Sequence, residues 1–132
     1  MNNKILLDTN AFKRMFESKH QPLSKLIANA EIVYISTIVL AELLAGYRLG
    51  SKEKENRNTL RLFIKTFSTY LLPVSQKTAE LYAHVFEDLS KKGKPIPTND
   101  LWIAAQTLEV NTTLVTYDKH FLNIKGIKVW SS

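Results

Sequence analysis

Lys4-Ile5-Leu6-Leu7-Asp8-Thr9-Asn10 is the stretch of sequence that decides the fold. A short apolar run of this kind, bounded by polar residues, is typical of a buried strand. The Asp-Thr-Asn that follows supplies the side-chain oxygens with which helices commonly begin. Because a buried strand that leads directly into a helix is the start of a β-α unit, these residues favour an α/β protein.

The same alternation continues along the chain. Further strands are predicted at residues 32–35, 71–74, 113–117 and near 127–130, and helices at 23–30, 36–50, 60–67, 75–89 and 99–109. Ser36 and Ser75 are predicted to cap two of these helices, and Gly50 is a plausible stop for the first of the two. We therefore predict an α/β fold, in which a parallel sheet of four to five strands carries helices on both faces. Sheets of this kind place ligand sites beyond the carboxyl ends of their strands.

Length and composition set the broad limits. The 132 residues suit one domain, 1–132, and the 45% apolar content is enough for a real core. The absence of cysteine excludes thiol chemistry and cysteine-bound zinc. No signal-peptide pattern and no apolar stretch of about 20 residues is present, so we expect a soluble, cytoplasmic protein without a membrane partner. The net charge of +6 favours polyanionic partners such as RNA or DNA.

Three acidic residues stand next to the predicted ends of strands and helices. Asp8 and Asp118 each follow a strand directly, and Asp100 opens a helix. Each of them alone is explained well enough as a helix cap, a turn residue or a favourable charge at a helix start. Two carboxylates at one edge of a sheet repel each other, however, so their convergence there needs a reason.

Glu42 is the most informative acid because it lies on the apolar stripe of its helix. Residues three, four and seven positions away include Ile38, Val39 and Leu49. A carboxylate on such a stripe must be paired with a cationic side chain, hydrogen-bonded or coordinated to a bound cation. With Asp8, Asp100 and Asp118 it supplies the hard oxygen ligands that Mg²⁺ or Mn²⁺ prefers. Without the cation, such a cluster should have some raised pKa values.

At this point the chain resembles the PIN-domain nucleases, specifically the VapC type of toxin ribonuclease from bacterial type II toxin–antitoxin systems. Four pieces in the same order and spacing carry the resemblance: Leu-Leu-Asp8-Thr-Asn10, Ser36 through Ala41-Glu42-Leu43, Asn99-Asp100-Leu-Trp-Ile103-Ala104-Ala105, and Leu-Val-Thr116-Tyr-Asp118-Lys-His-Phe121. Together they span nearly the whole chain, so the resemblance implies a single PIN-like domain over residues 1–132.

The resemblance implies a function and a set of roles. Asp8, Glu42, Asp100 and Asp118 match the acidic metal-binding quartet, and Asn10, Asn99 and Thr116 match polar residues that support it. The implied activity is hydrolysis of RNA phosphodiester bonds with Mg²⁺ or Mn²⁺, with one metal or two. Homodimerisation and inhibition by a cognate antitoxin protein are implied as well.

Other features are weaker candidates. Arg57, Arg61 and Lys65 recur every four residues and form a basic stripe that would contact RNA or an acidic partner, or would simply be a solvated face. We interpret the three histidines, at 20, 84 and 120, as surface or packing residues rather than catalytic ones. Tyr47, Trp102 and Tyr117 are candidates for stacking on bases, although core or dimer packing is the better default for Trp102.

Two alternative functions compete with RNA cleavage, of which the second fits the sequence poorly. The first is a PIN-like module that binds RNA or a partner without cleaving. The second is a receiver-like phospho-acceptor, which would need two adjacent acids after the first strand, where Asp8 stands alone. The absence of a glycine-rich turn after that strand argues against dinucleotide binding.

Overall fold

The computed structural model describes residues 3–17 and 21–131 and is an α/β protein. Its strands and helices alternate along the chain as follows: β1 (Lys4–Leu7), α1 (Thr9–Glu17), α2 (Gln21–Asn29), β2 (Ile32–Ser36), α3 (Thr37–Leu49), α4 (Glu53–Thr66), β3 (Thr69–Leu72), α5 (Gln76–Lys91), α6 (Thr98–Glu109), β4 (Thr113–Val115), a 3₁₀ helix (Lys119–Asn123) and β5 (Lys128–Trp130).

The five strands form one parallel sheet in the order β3-β2-β1-β4-β5. β1 lies in the centre, where Ile5 pairs with Val33 of β2 on one side and with Thr113 of β4 on the other. The chain builds outward from β1 to β3 and then crosses back to β4. Right-handed crossovers therefore place α1 to α4 on one face and α5 and α6 on the other. The predicted fold class is confirmed, and the change of direction between β1 and β4 opens a crevice at the carboxyl edge.

The core explains why β1 takes the central position. Ile5, Leu6 and Leu7 are all at most 1% exposed. Since successive side chains of a strand point to opposite faces, this means that both faces of the sheet are covered. Burying three large apolar side chains contributes on the order of 2 kcal/mol each. The edge formed by the carboxyl ends of the strands is thereby held rigidly in place.

Several local predictions hold. Ser36 caps α3, because its hydroxyl accepts a hydrogen bond from the Ile38 N–H at 3.0 Å. Ser75 caps α5 in a reciprocal capping box with Thr78. Gly50 follows the last residue of α3, and its N–H bonds the carbonyls of Gly46 and Tyr47.

Several boundaries differ from prediction by one to seven residues, and the strand predicted at residues 71–74 is Thr69–Leu72. Two of the differences have a visible cause. The strand predicted over residues 113–117 ends at Val115, because the Tyr117 N–H donates to the Asn10 side chain and the Asp118 N–H to the Thr116 hydroxyl. The helix predicted at residues 60–67 begins at Glu53, where the Glu53–Arg57 ion pair supports its first turn. None of the helices in the described ranges combines the length and the apolar character that crossing a bilayer requires.

Candidate metal centre

Asp8 lies at the carboxyl end of the central strand and is 4% exposed. One carboxylate oxygen, Oδ2, accepts a hydrogen bond from the Thr116 hydroxyl at 2.7 Å. The other, Oδ1, accepts from the Thr9 backbone N–H at 2.8 Å. Thr116 follows β4 and Thr9 opens α1, so Asp8 is fixed from both sides of the crevice.

Burial has the largest effect on the pKa of Asp8. It raises the pKa of the carboxyl group from 3.8 to about 6, although the hydrogen bonds from Thr116 and Thr9 lower it in part. The nearby charges of Asp100 and Glu42 raise it further. Two donors are therefore not enough to compensate a carboxylate that is removed from water and placed beside two others.

Glu42 comes to the same place from the middle of α3. Its Oε1 accepts a hydrogen bond from the Thr9 hydroxyl at 2.9 Å. Its charge acts on both Asp8 and Asp100, raising the pKa of each. Within residues 3–17 and 21–131, no lysine, arginine or histidine lies within ion-pair distance of Glu42 or Asp8. The buried salt bridge considered from the sequence is therefore not found among the described residues.

Asp100 and Asp118 complete the cluster. Asp100 stands in the first turn of α6 with its side chain 17% exposed. Burial raises its pKa, a hydrogen bond from His120 lowers it, and the charges of Asp118 and Glu42 raise it again. Asp118 follows β4 and caps the 3₁₀ helix, because its Oδ1 accepts a hydrogen bond from the His120 N–H at 3.0 Å. The structure thus brings together the four acids that the sequence singled out.

Of the three predicted supporting residues, Thr116 contacts the acids directly and Asn10 contacts Thr116. The Thr116 hydroxyl donates to Asp8 and accepts from the Asp118 N–H at 3.0 Å, so it links two of the acids. Asn10 holds this arrangement, because its Nδ2 donates to the Thr116 hydroxyl at 3.4 Å and its Oδ1 accepts from the Tyr117 N–H at 3.1 Å. Asn99 is exposed, and its side chain makes no hydrogen bond to the described part of the chain.

Sequence reasoning did not single out Thr9 or His120 for the site. The Thr9 hydroxyl joins the Asp8 loop to Glu42, which no local pattern indicates. His120 Nδ1 lies 3.0 Å from Asp118 Oδ1 and 3.4 Å from Asp100 Oδ2. It is exposed, as expected for a surface residue, but it contacts the cluster; the Asp-x-His spacing at a capped turn was the available signal. His84 is exposed on α5, and His20 lies outside the described residues.

The basic stripe belongs to a different surface. Arg57 pairs with Glu53 at 2.9 Å, Arg61 bonds Asn58 at 3.3 Å, and Lys65 is exposed, all on α4. The four acids come from other elements, so the stripe is not part of the carboxylate cluster.

The aromatic candidates have contacts inside the protein. The Trp102 ring packs against Tyr82 at 4.3 Å between centroids, and the Arg14 guanidinium lies 4.5 Å from the centre of the Tyr117 ring. Tyr47 lines a hollow of 320 Å³ between α1, α3 and α4.

The donor set fits a divalent cation. Asp8, Glu42 and Asp118 all lie within electrostatic range of Asp100, and their oxygen atoms are hard ligands. Burial first, and then the neighbouring carboxylate charges, raise the pKa values of Asp8 and Asp100, so the negative charge there is only partly compensated. A bound cation of the Mg²⁺ or Mn²⁺ type would supply that compensation. The ligand atoms of Asp100, Asp118 and His120 already lie within 4.8 Å of one another.

Fold and site together define a class: α/β proteins that gather carboxylates where a parallel sheet changes direction. A family model described as PIN domain matches residues 5–127. Ribonuclease VapC2 of Rickettsia felis is 33% identical over 127 residues, which cover 92% of each chain. Toxin FitB of Neisseria gonorrhoeae is 31% identical over 123 residues, covering 86% of this chain and 87% of that protein.

The structural comparison agrees with these matches. The crystal structure of VapBC2 from Rickettsia felis, bound to a DNA fragment from its promoter, contains a chain that superposes with a TM-score of 0.85 at 28% identity, covering 97% of this chain and 99% of that one. The chain belongs to the PIN-domain family, among the VapC-type toxin ribonucleases.

Proposed function

We propose that this chain is a toxin endoribonuclease that hydrolyses RNA phosphodiester bonds with Mg²⁺ or Mn²⁺ held by Asp8, Glu42, Asp100 and Asp118. One observation carries the proposal. The other three carboxylates all lie within electrostatic range of Asp100, and within the described ranges the basic side chain at ion-pair distance from any of the four is His120, beside Asp100 and Asp118. Such a cluster is strained until a cation binds.

The burial and hydrogen bonds of each acid suggest its role in holding the cation. Asp8 is fixed by Thr116 and Thr9, so it would provide the rigid oxygen ligand at the bottom of the crevice. Asp100 is partly exposed and would share the cation while facing the substrate. Glu42 and Asp118 would complete the shell, directly or through water, or help to hold a second cation. A cation in this position lowers the pKa of bound water and neutralises charge that develops on a phosphate.

The chemistry is an in-line hydrolysis. A water oxygen bonds to phosphorus, the bond from phosphorus to the leaving ribose oxygen breaks, and that oxygen takes up a proton. Carboxylates that hold the attacking water in place reduce the entropic part of the barrier. The cluster lies at the carboxyl edge of the sheet, where α1 and the 3₁₀ helix follow strands and α6 begins. The Asp100 side chain is 17% exposed there, so a single strand of RNA could reach it from solvent.

The relatives suggest the partners. One is named a toxin, and another occurs in a structure named VapBC2 on a promoter fragment. By analogy we propose that this chain binds a cognate antitoxin protein, forms a homodimer and acts in the cytoplasm, where RNA is available. The net charge of +6 favours approach to RNA.

An RNA cleavage assay tests the proposal. Purified protein would be incubated with total RNA in Mg²⁺, Mn²⁺ or EDTA, alongside Glu42→Gln and, as matched control, Glu87→Gln, an exposed residue that pairs with Lys91. We expect metal-dependent cleavage by the wild type and the control, and a loss of at least about 100-fold in Glu42→Gln. Cleavage that persists in EDTA would contradict the metal site. RNA binding without cleavage would instead support the binding-module alternative.

A further inference from the structure

His120 is held against two acids of the cluster by its position in the chain. It is the second residue of the 3₁₀ helix that follows β4, and its backbone N–H donates to Asp118 Oδ1. The next residue, Phe121, is fully buried and anchors the helix in the core. The imidazole is therefore placed at the carboxyl edge by packing and capping rather than by chance.

The distances around Nδ1 match those between neighbouring ligands of one metal ion. Nδ1 lies 3.0 Å from Asp118 Oδ1 and 3.4 Å from Asp100 Oδ2, and the three ligand atoms lie within 4.8 Å of one another. Adjacent ligands at about 2.1 Å from a six-coordinate ion are about 3 Å apart. The His120 side chain is 52% exposed, so an ion and its water molecules can reach Nδ1.

We propose that His120 is a metal ligand through Nδ1 and, together with Asp100 and Asp118, forms a mixed nitrogen–oxygen subsite that favours Mn²⁺ over Mg²⁺. This inference rests on the proposed function, because it refines the same cation site. Imidazole nitrogen suits transition-metal ions, whereas Mg²⁺ prefers oxygen ligands and retains water. The Nδ1 atom that now contacts the two carboxylates would use its lone pair on the ion, with the ring proton on Nε2.

Pulsed electron paramagnetic resonance on the Mn²⁺-loaded protein tests the assignment directly. A nitrogen ligand couples the ¹⁴N nucleus to the Mn²⁺ electron spin and modulates the echo. We expect this modulation in the wild type, its loss in His120→Gln, and its retention in His84→Gln, the matched control on α5. In metal titrations, His120→Gln should lower Mn²⁺ affinity at least about 10-fold and change Mg²⁺ affinity by no more than about 2-fold.

The outcomes separate the inference from the proposed function. Mn²⁺ binding without ¹⁴N modulation, or modulation that persists in His120→Gln, would overturn the assignment of His120 and leave the carboxylate site intact. Failure of the wild type to bind Mn²⁺ or Mg²⁺ would overturn the metal site itself. Circular dichroism would establish that each variant is folded, with His120→Asn as a second substitution in case His120→Gln is not.

Discussion

The two ends of α6 each carry an acid in a very different setting. At its C-terminal end, the Glu109 carboxylate accepts hydrogen bonds from the hydroxyls of Ser75, at 3.0 Å, and Thr78, and so ties α6 to the start of α5. At its N-terminal end, Asp100 faces the charges of Asp118 and Glu42, with the exposed His120 as its hydrogen-bond partner.

The difference supports the proposal that the Asp100 end of α6 binds the cation. Glu109 is supplied with donors from within the protein and needs nothing further. Asp100 gains from the positive end of the helix dipole, worth roughly 0.5 kcal/mol, yet burial and neighbouring carboxylates still raise its pKa. A carboxylate that the fold leaves short of donors beside other carboxylates is arranged for a cation. We therefore treat the Glu109 end as structural and the Asp100 end as the site.

The largest expected effect comes from exchanging each acid for its amide. Asp100→Asn should reduce RNA cleavage at least about 1,000-fold, equivalent to about 4 kcal/mol of barrier, because it removes a charged ligand from the cation. Glu109→Gln should keep cleavage within about 3-fold of the wild type and should lower the melting temperature instead. Initial rates on a defined RNA, together with thermal unfolding of both variants, make the comparison.

Two results would contradict the assignment of Asp100 to the site and Glu109 to a structural role. Equal cleavage by Asp100→Asn and the wild type would remove Asp100 from the site. A Glu109→Gln variant that is fully stable but inactive would move the site to the other end of the helix.

Neutralising the buried acid of the site should stabilise the metal-free protein. The pKa of Asp8 is about 6 in the folded chain and 3.8 in the unfolded one, so the folded state binds its proton more tightly. Stability in EDTA should therefore fall by about 3 kcal/mol as pH rises from about 4 through 6. Asp8→Asn should abolish most of this fall and be more stable than the wild type at pH 7.5. Urea unfolding at several pH values in EDTA measures both quantities.

Divalent cation supplies the control for that experiment. Mn²⁺ should stabilise the wild type at pH 7.5 and have little effect on Asp8→Asn. If the variant were instead less stable than the wild type in EDTA at pH 7.5, the Asp8 carboxylate would be fully satisfied by Thr116 and Thr9, and the argument from strain would fail.

Removing a hydroxyl donor at the Glu109 end of α6 should destabilise the protein, whereas Asp8→Asn should stabilise it. Thr78 is fully buried, and its hydroxyl donates to Glu109 and accepts from the Ser75 N–H. Thr78→Val should lower the free energy of unfolding by about 2 kcal/mol, since it leaves polar partners unpaired. Thr78→Ser keeps the hydroxyl and should recover most of the loss. Urea unfolding with and without Mn²⁺ checks this, and destabilisation by Thr78→Val that Mn²⁺ reversed would link this end to the metal.

The sequence was sufficient to predict most of the architecture. Strand β1 followed from the run of apolar residues before Asp8, and the cap at Ser36 followed from its hydroxyl before an apolar helix. Both signals lie in neighbouring residues of the sequence, so they can be recognised without knowing the tertiary fold. The strand predicted to reach Tyr117 ends at Val115, because Asn10 takes a backbone N–H that a longer strand would have used. That contact joins residues 107 positions apart and leaves no local pattern.

Only the part of the site that depends on local sequence signals could be predicted. Strand ends indicate where Asp8 and Asp118 lie, and the apolar stripe indicates the inward direction of Glu42. The contact of Thr9 with Glu42, and that of His120 with Asp100, depend on how separate elements pack. Asn99, singled out by resemblance to the family, is exposed at the start of α6. Its supporting role stays a prediction, since no side-chain contact within the described ranges bears on it.

The smallest expected effect concerns the one hydroxyl that partly satisfies Asp8. The Thr116 hydroxyl donates to the ionised carboxylate at 2.7 Å and therefore lowers its pKa. Thr116→Val should raise the pKa of Asp8 above its value of about 6, while Thr116→Ser should leave it near 6. Carboxyl ¹³C chemical shifts followed against pH in EDTA measure this. An unchanged pKa in Thr116→Val would mean that the Thr116 hydrogen bond does not affect the charge state of Asp8, contrary to this prediction.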